Sequence, residues 1–389
     1  MMRWCAAFLT LFVAAARLAG AELAPIGPGP LAVACTNLEV TPCDSKEMFD
    51  YLNGKSSAGN TKYLTDILVH PESVPTLQVD VPADAKLFGK QAGTRLPLVL
   101  LVVYPTTANN PRADYKYPYK ETGDAKFTHM QQPGDKPIFA DPAAKYPLIV
   151  ISGGYNTHGL WHLWHMKELA AHGYIVVDMF HGDGRGASFD SNVALRSIEL
   201  RATLDFILRH PDFAPAIDPE RIGAAGESAG GHTVLAALGG IDPAGKIPGG
   251  ADPRVKAAFG LVPFMGGSVG FWPFKMDLWY FGEDHSGLRP VQRPFLAVYG
   301  EKDRNVPPGG VEAGVRAMAG PTTAVMLDGE AHLVSTPASS DIRTWEILFF
   351  DAWLHDDESA RRKLRLGTTV RGGVNDHKTF QRDIPKANR

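Results

Sequence analysis

The sequence has little cysteine: Cys5, Cys35 and Cys43 are the only three in 389 residues. That excludes a disulfide-dense scaffold. It also lacks an excess of charge of either sign, with 39 Lys and Arg against 42 Asp and Glu and a formal net charge of -3. Nothing in that balance advertises a nucleic-acid or anionic-membrane partner. No internal repeat or low-complexity linker divides the chain, and beyond its first residues no stretch is long and apolar enough to cross a bilayer. What is present is an ordinary globular composition, 44% hydrophobic and 21% charged, enough for one large domain with a full core.

The first residues set the expected compartment. Met1 to Arg3 give a short basic start, Trp4 to Ala16 an uncharged and mostly apolar run, and Ala19-Gly20-Ala21 a small-residue site. This predicts a signal peptide over 1–21, cleaved after Ala21, and a secreted or periplasmic protein with no stable membrane span once the signal is removed. Cys5 leaves with the signal, so compartment and parity predict a disulfide between Cys35 and Cys43.

Residues 22–81 are rich in Pro, Gly and Asn with weak periodicity and are expected to form an amino-terminal arm. A different rhythm begins at 82 and runs to 355. Leu96 to Tyr104 and Tyr146 to Ser152 are apolar runs bounded by Pro and Gly, as strands buried on both faces are, with a long loop between them. Further strands are expected at Tyr174 to Met179, Arg221 to Ala225, Val255 to Pro263, Pro294 to Tyr299 and Thr323 to Leu327. Helices are expected at Leu160 to His172, Ser191 to His210, Ser228 to Leu238, Val311 to Met318 and Asp341 to Leu354. Strand and helix in alternation predict an α/β fold, a mostly parallel central sheet with helices on both faces. The charged tail over 356–389, with Arg361, Arg362, Lys363 and Arg365, is expected to be a solvated surface extension.

Gly226-Glu227-Ser228-Ala229-Gly230 stands between a predicted strand and a predicted helix. In that context Gly-x-Ser-x-Gly forces the serine onto a strained turn with its hydroxyl exposed, and the helix aims its amino-terminal N–H groups at developing negative charge. The bare pattern is weak: at glycine usage of ~7% it arises by chance in on the order of one chain in ten of this length. The chain carries a second copy, Gly266-Gly267-Ser268-Val269-Gly270, but Phe271, Trp272 and Pro273 follow it in place of a helix start. Ser228 is therefore the expected nucleophile.

A serine hydroxyl needs a histidine to take its proton and a carboxylate to hold that histidine. Behind the strand ending at Tyr299 lies Gly300-Glu301-Lys302-Asp303, and behind the next strand Asp328-Gly329-Glu330-Ala331-His332. Asp303 is the expected acid, with Glu301 its competitor, and His332 the expected base. The loop Gly153-Gly154-Tyr155-Asn156 should supply the second oxyanion donor through the Tyr155 N–H, beside the Ala229 N–H.

These residues resemble the dienelactone-hydrolase and platelet-activating-factor-acetylhydrolase branch of the α/β-hydrolases, with bacterial cutinase-like polyester hydrolases as close relations. The resemblance is carried by Tyr146-Pro147-Leu148-Ile149-Val150-Ile151-Ser152-Gly153-Gly154, by Gly173-Tyr174-Ile175-Val176-Val177 and by the serine elbow, and it covers roughly Leu96 to Leu354. Dienelactone hydrolases carry a cysteine where this chain has Ser228. The resemblance implies the α/β-hydrolase fold and cleavage of a carboxylic ester, small or polymeric, with no cofactor and no metal. Amide cleavage or acyl transfer on the same triad is the alternative, and a non-catalytic binding protein of the same fold a further one.

On the substrate side, Phe271, Trp272, Phe274, Trp279, Tyr280 and Phe281 crowd the segment 264–290, which reads either as a lid and acyl-binding wall or as a packed satellite core. Gly154, Trp272 and Phe274 are the candidate substrate-binding residues. His158, His162 and His165 recur at helical spacing, but the interleaved Trp161 and Trp164 favour packing over metal binding. His181-Gly182-Asp183-Gly184-Arg185 reads as a glycine-rich turn.

Overall fold

The computed structural model describes residues 20–37, 41–42, 75–119, 123–131, 135–155, 157, 159–181, 183, 188–269 and 276–382. The signal-like residues 1–19, with Cys5, lie outside that set, as do Cys43, Asn156, His158, Arg185, Trp272 and Phe274.

Eleven strands form the central sheet: β1 (Ala32–Asn37), β2 (Thr41–Pro42), β3 (Pro75–Asp80), β4 (Arg95–Thr106), β5 (Tyr146–Ser152), β6 (Ile175–Phe180), β7 (Ile217–Glu227), β8 (Val255–Leu261), β9 (Phe295–Gly300), β10 (Thr322–Leu327) and β11 (Asp376–Arg382). Their order is β11-β10-β9-β8-β7-β5-β6-β4-β3-β2, with β1 also paired to the long β4. The six strands from β10 across to β6 run parallel. β4 and β11 close the two sides of that block antiparallel.

Side chains alternate across a strand, and β5 shows how this divides the interior. Leu148 and Val150 enter one core, while Ile149 and Ile151 enter the other. The first core packs the helices α2 (Phe189–Ile207), α3 (Ala229–Ala237) and α4 (Pro308–Ala317). The second packs α1 (Gly159–Ala171), α5 (Ser339–Leu354) and α6 (Glu358–Leu366). The architecture is thus mixed α/β, a central sheet flanked by helices. Connectivity creates one crevice in it: after β5 the chain steps one way to β6, then returns across β5 to β7 and continues the other way. The loops after β5 and β7 diverge there, and ligands of open α/β sheets gather at such switch points.

Three expectations are corrected. Cys35 is a free thiol, so the expected disulfide is not made. It sits in β1 opposite Val103, wholly buried, and burial pushes its pKa up to about 11. An apolar core position, not a crosslink, accounts for this cysteine. The arm is not merely packed on the core, because β1 and β3 extend the sheet through β4.

The charged tail is likewise built in. α6 packs Ala360 and Leu364 into the second core, and β11 pairs with β10 along six residues. Asp376 is buried and accepts from the Trp345 indole N–H at 2.5 Å, while the Lys378 ammonium lies over the Trp345 ring. Long cationic side chains cover apolar surface with their stems, which is why a strand of such polar composition can edge the sheet. No helix among the described residues is long and apolar enough to cross a membrane.

Candidate active site

β7 ends at Glu227 and α3 begins at Ala229, so Ser228 alone makes the turn, at φ 52° and ψ -114°. A non-glycine residue there is strained, and surrounding contacts must hold it. Two backbone bonds do so: the Ser228 N–H donates to the Leu261 carbonyl at 3.0 Å, and the Ser228 carbonyl accepts from the Phe264 N–H at 2.8 Å. The flanking glycines are required by space. A Cβ on Gly226 would lie 2.3 Å from the Gly230 carbonyl oxygen, and one on Gly230 would lie 1.7 Å from that of Ser152.

The loops after β9 and β10 bring the other two residues to this serine. His332 Nε2 lies 3.0 Å from Ser228 Oγ, and His332 Nδ1 lies 2.7 Å from Asp303 Oδ2. Asp303 is buried, and its other oxygen accepts the N–H groups of Asn305 and Val306, each at 2.8 Å. A carboxylate held in this way takes a proton-bearing Nδ1, which leaves Nε2 as the acceptor for the serine hydroxyl. Glu301, the competitor, instead accepts the Gly329 N–H at 2.8 Å. It ties the acid loop to the histidine loop rather than touching the ring.

The loop after β5 is pinned from both sides. The buried Arg196 of α2 donates to the carbonyls of Gly153 at 2.7 Å and Gly154 at 2.8 Å, and Asp183 pairs with the same guanidinium at 2.9 Å. Glu227 Oε2 accepts the Gly154 N–H at 3.3 Å. In a trans peptide the C=O and N–H point opposite ways. With the Gly154 carbonyl on Arg196, the Tyr155 N–H is directed away from the guanidinium, and unlike that of Gly154 it is not the group Glu227 takes. The Tyr155 ring stacks on Phe189 with centroids 5.1 Å apart. The Ala229 N–H heads α3, where first-turn N–H groups have no acceptor within the helix.

Ser228, His332, Tyr155 and Ala229 all line one cavity of about 410 Å³. Its walls are largely apolar, from Phe189, Val193, Phe264, Leu278 and Val306. The aromatic segment 264–290 divides between the two roles open for it. Met276 and Leu278 of a short hairpin line the cavity together with the buried Tyr280, whereas Phe281 is buried away from it, stacked on His232 at 4.5 Å. Burial and then the nearby charge of Arg196 push the His232 pKa down to about 3, so this ring is neutral. Trp272 and Phe274 fall outside the described residues. Ser268 of the second Gly-x-Ser-x-Gly copy is a strand residue of that hairpin, and its hydroxyl bonds the Asp277 carboxylate.

The histidines of α1 are held by carboxylates. His165 bonds Glu346, and the buried His162 lies 3.1 Å from Asp178 and 2.9 Å from Glu227. Burial disfavours the His162 charge, but hydrogen bonds to Asp178 and Glu227 outweigh it and raise the pKa to about 10. His162 is thus a bracket between Asp178 of β6 and Glu227, the residue before Ser228.

Arg196 is the supporting residue that sequence reasoning missed, and His162, expected only to pack, is bonded to Asp178 and Glu227. A signal for Arg196 was available, since it falls on the stripe of α2 that carries the buried Val193, Leu200 and Leu204. A lone arginine in an apolar stripe needs a buried partner. No protein-family model matches the chain, and no curated protein matches it either.

Proposed function

We propose that the chain is a serine hydrolase of the α/β-hydrolase type that cleaves carboxylic esters through an acyl-enzyme. The observation that carries this reading is the chain of contacts from Ser228 through His332 to Asp303, placed at the mouth of an apolar cavity on a strained turn. Ser228 Oγ attacks the ester carbon while its proton passes to His332 Nε2, and Asp303 stabilises the imidazolium that forms. The N–H groups of Tyr155 and Ala229 receive the oxyanion, and their placement at the switch point beside the nucleophile supports that role. The protonated His332 gives its proton to the departing alcohol, and water then repeats the sequence to free the acid.

An apolar cavity favours an ester with an apolar acyl group, small or polymeric, over a charged one. The amino-terminal signal pattern adds export to a secretory or periplasmic compartment as part of the same proposal. The test is Ser228→Ala together with a fluorophosphonate probe. The wild type should hydrolyse p-nitrophenyl acetate and take the label at Ser228, and the variant should do neither. Wild-type hydrolysis by Ser228→Ala would overturn the assignment, and a preference for peptide amides in a mixed panel would redirect it to amide cleavage.

A further inference from the structure

Behind the nucleophile lies a second cavity, of about 490 Å³, on the α1 side of the sheet. It shares three residues with the first, Glu227, His332 and Leu333, and contains neither Ser228 nor Ala229 nor Tyr155. Ile151, Phe259, Leu261 and Val334 make most of its wall apolar. Its rim carries Trp164 and Leu333, exposed at 41% and 69%, two of the six large hydrophobic residues exposed among those described. Such side chains at the rim of a concave apolar site mark a binding surface.

We infer that this second cavity seats the leaving alcohol of the ester, and that it selects an apolar, uncharged alcohol. The inference rests on the ester-hydrolase reading above. The group that protonates the leaving oxygen must face that oxygen, and His332 is the one triad residue that borders both cavities. With the acyl group in the first cavity, against the oxyanion N–H groups and Ser228, the C–O bond that breaks projects past His332 toward the second. As that bond breaks, Ser228 Oγ has bonded the acyl carbon, and the proton it gave to His332 Nε2 moves to the alcohol oxygen.

The charge on the alcohol is set by Glu227, whose carboxylate stands in the wall of both cavities. Burial raises its pKa, but hydrogen bonding and charge from His162 outweigh this and hold it below the usual carboxylate range. The imidazoles of the wall are each bonded to a carboxylate, His162 to Asp178 and Glu227, His165 to Glu346 and His332 to Asp303, so no unpaired cation is there to hold an anionic alcohol. An anionic alcohol would lose its hydration there without gaining a partner.

The experiment holds the acyl group at acetate and varies the alcohol among ethyl, benzyl and 4-sulfobenzyl. For the wild type, kcat/KM should rise roughly tenfold or more from ethyl to benzyl and fall back for the sulfonate. Ser339→Phe, placed in the wall away from Ser228, should remove the benzyl preference, with fluorophosphonate labelling as in the wild type showing Ser228 intact. Trp164→Ala at the rim should lower the benzyl preference alone, which keeps the inference testable if Ser339→Phe does not fold. An unchanged alcohol series in both folded variants, or equal rates on the benzyl and sulfobenzyl esters, would overturn the inference and leave the hydrolase reading standing. A wild-type chain that turns over no ester and takes no label would overturn that reading, and the inference with it.

Discussion

Among the described residues two serine, histidine and carboxylate chains lie at one end of the sheet, and they differ in what surrounds the serine. Ser152 closes β5, and its hydroxyl lies 2.8 Å from His181 Nε2, whose Nδ1 meets Glu199. Ser228 follows β7, whose Gly226 is the registered neighbour of Ser152. By contacts alone the two are alike. They differ in backbone and in exposure: Ser152 is a regular strand residue at 0% exposure, with His181 at 4% and Glu199 at 1%. Ser228 is on a left-handed turn beside a cavity of about 410 Å³. A hydrogen-bonded triad can therefore be a way of satisfying buried polar groups, and what separates a nucleophile from it is a strained turn that points the hydroxyl into space for a substrate.

The largest effect should come from exchanging the histidines. His332→Ala is expected to lower kcat by on the order of 10⁴-fold or more with little change in unfolding, because the proposed mechanism passes the proton through this ring. His181→Ala should do the opposite. It removes the imidazole that the buried Glu199 bonds, a loss of about 3–5 kcal/mol in stability, with the folded fraction still labelled by a fluorophosphonate. Urea unfolding and active-site titration on both variants check this. Equal catalytic loss with unchanged stability in His181→Ala would break the distinction.

Arg196→Met sharpens it, since Arg196 serves the Ser228 region without touching the serine. Loss of the two carbonyl contacts frees the Gly153-Gly154 loop, and kcat should drop about 10²–10³-fold, the range for losing one oxyanion donor. KM should move far less, and labelling of Ser228 should slow but persist. Asp183 loses the guanidinium it pairs with, so stability falls as well. A variant whose KM rises while kcat holds would show that the clamp positions substrate rather than the oxyanion donor.

Ser152→Ala comes next. One buried partner of His181 is lost, which costs about 1–3 kcal/mol in unfolding free energy, and kcat should stay within a few-fold of the wild type. A loss of activity as large as that of His332→Ala would make Ser152 part of the chemistry.

What the sequence made legible follows from where the signals are local. Strands buried on both faces read as apolar runs, and β5 and β8 lie where those runs predict, to within two residues. Ser228 follows a strand on a glycine-flanked turn, and Asp303 and His332 each follow a strand on a polar loop, so order and context singled them out. Arg196 and Asp183 did not emerge, because their pairing joins α2 to a turn that is visible only in three dimensions. β11 was unreadable for another reason: an edge strand covered by lysine and arginine stems has no apolar alternation to find. Cys35 was misassigned because parity of cysteines says nothing about which of them a core will absorb.

One further contrast separates the two regions by pH. His162 brackets Glu227, the residue beside Ser228, and its pKa is about 10 in the folded chain against an ordinary 6.5. Because the folded state holds the proton more tightly, this interaction stabilises fully below about pH 6.5 and is lost as pH rises through about 10. Wild-type stability should therefore fall from pH 7 toward pH 10, with His162 contributing up to about 1.4 kcal/mol per pH unit. His162→Gln keeps a polar amide in the bracket but cannot titrate, so it should begin less stable at pH 7 and lose that slope. Urea midpoints at pH 7, 8, 9 and 10 for both proteins measure the difference. Parallel curves would mean that His162 is neutral in the folded chain and that Glu227 is held in place by its other contact, the Gly154 N–H.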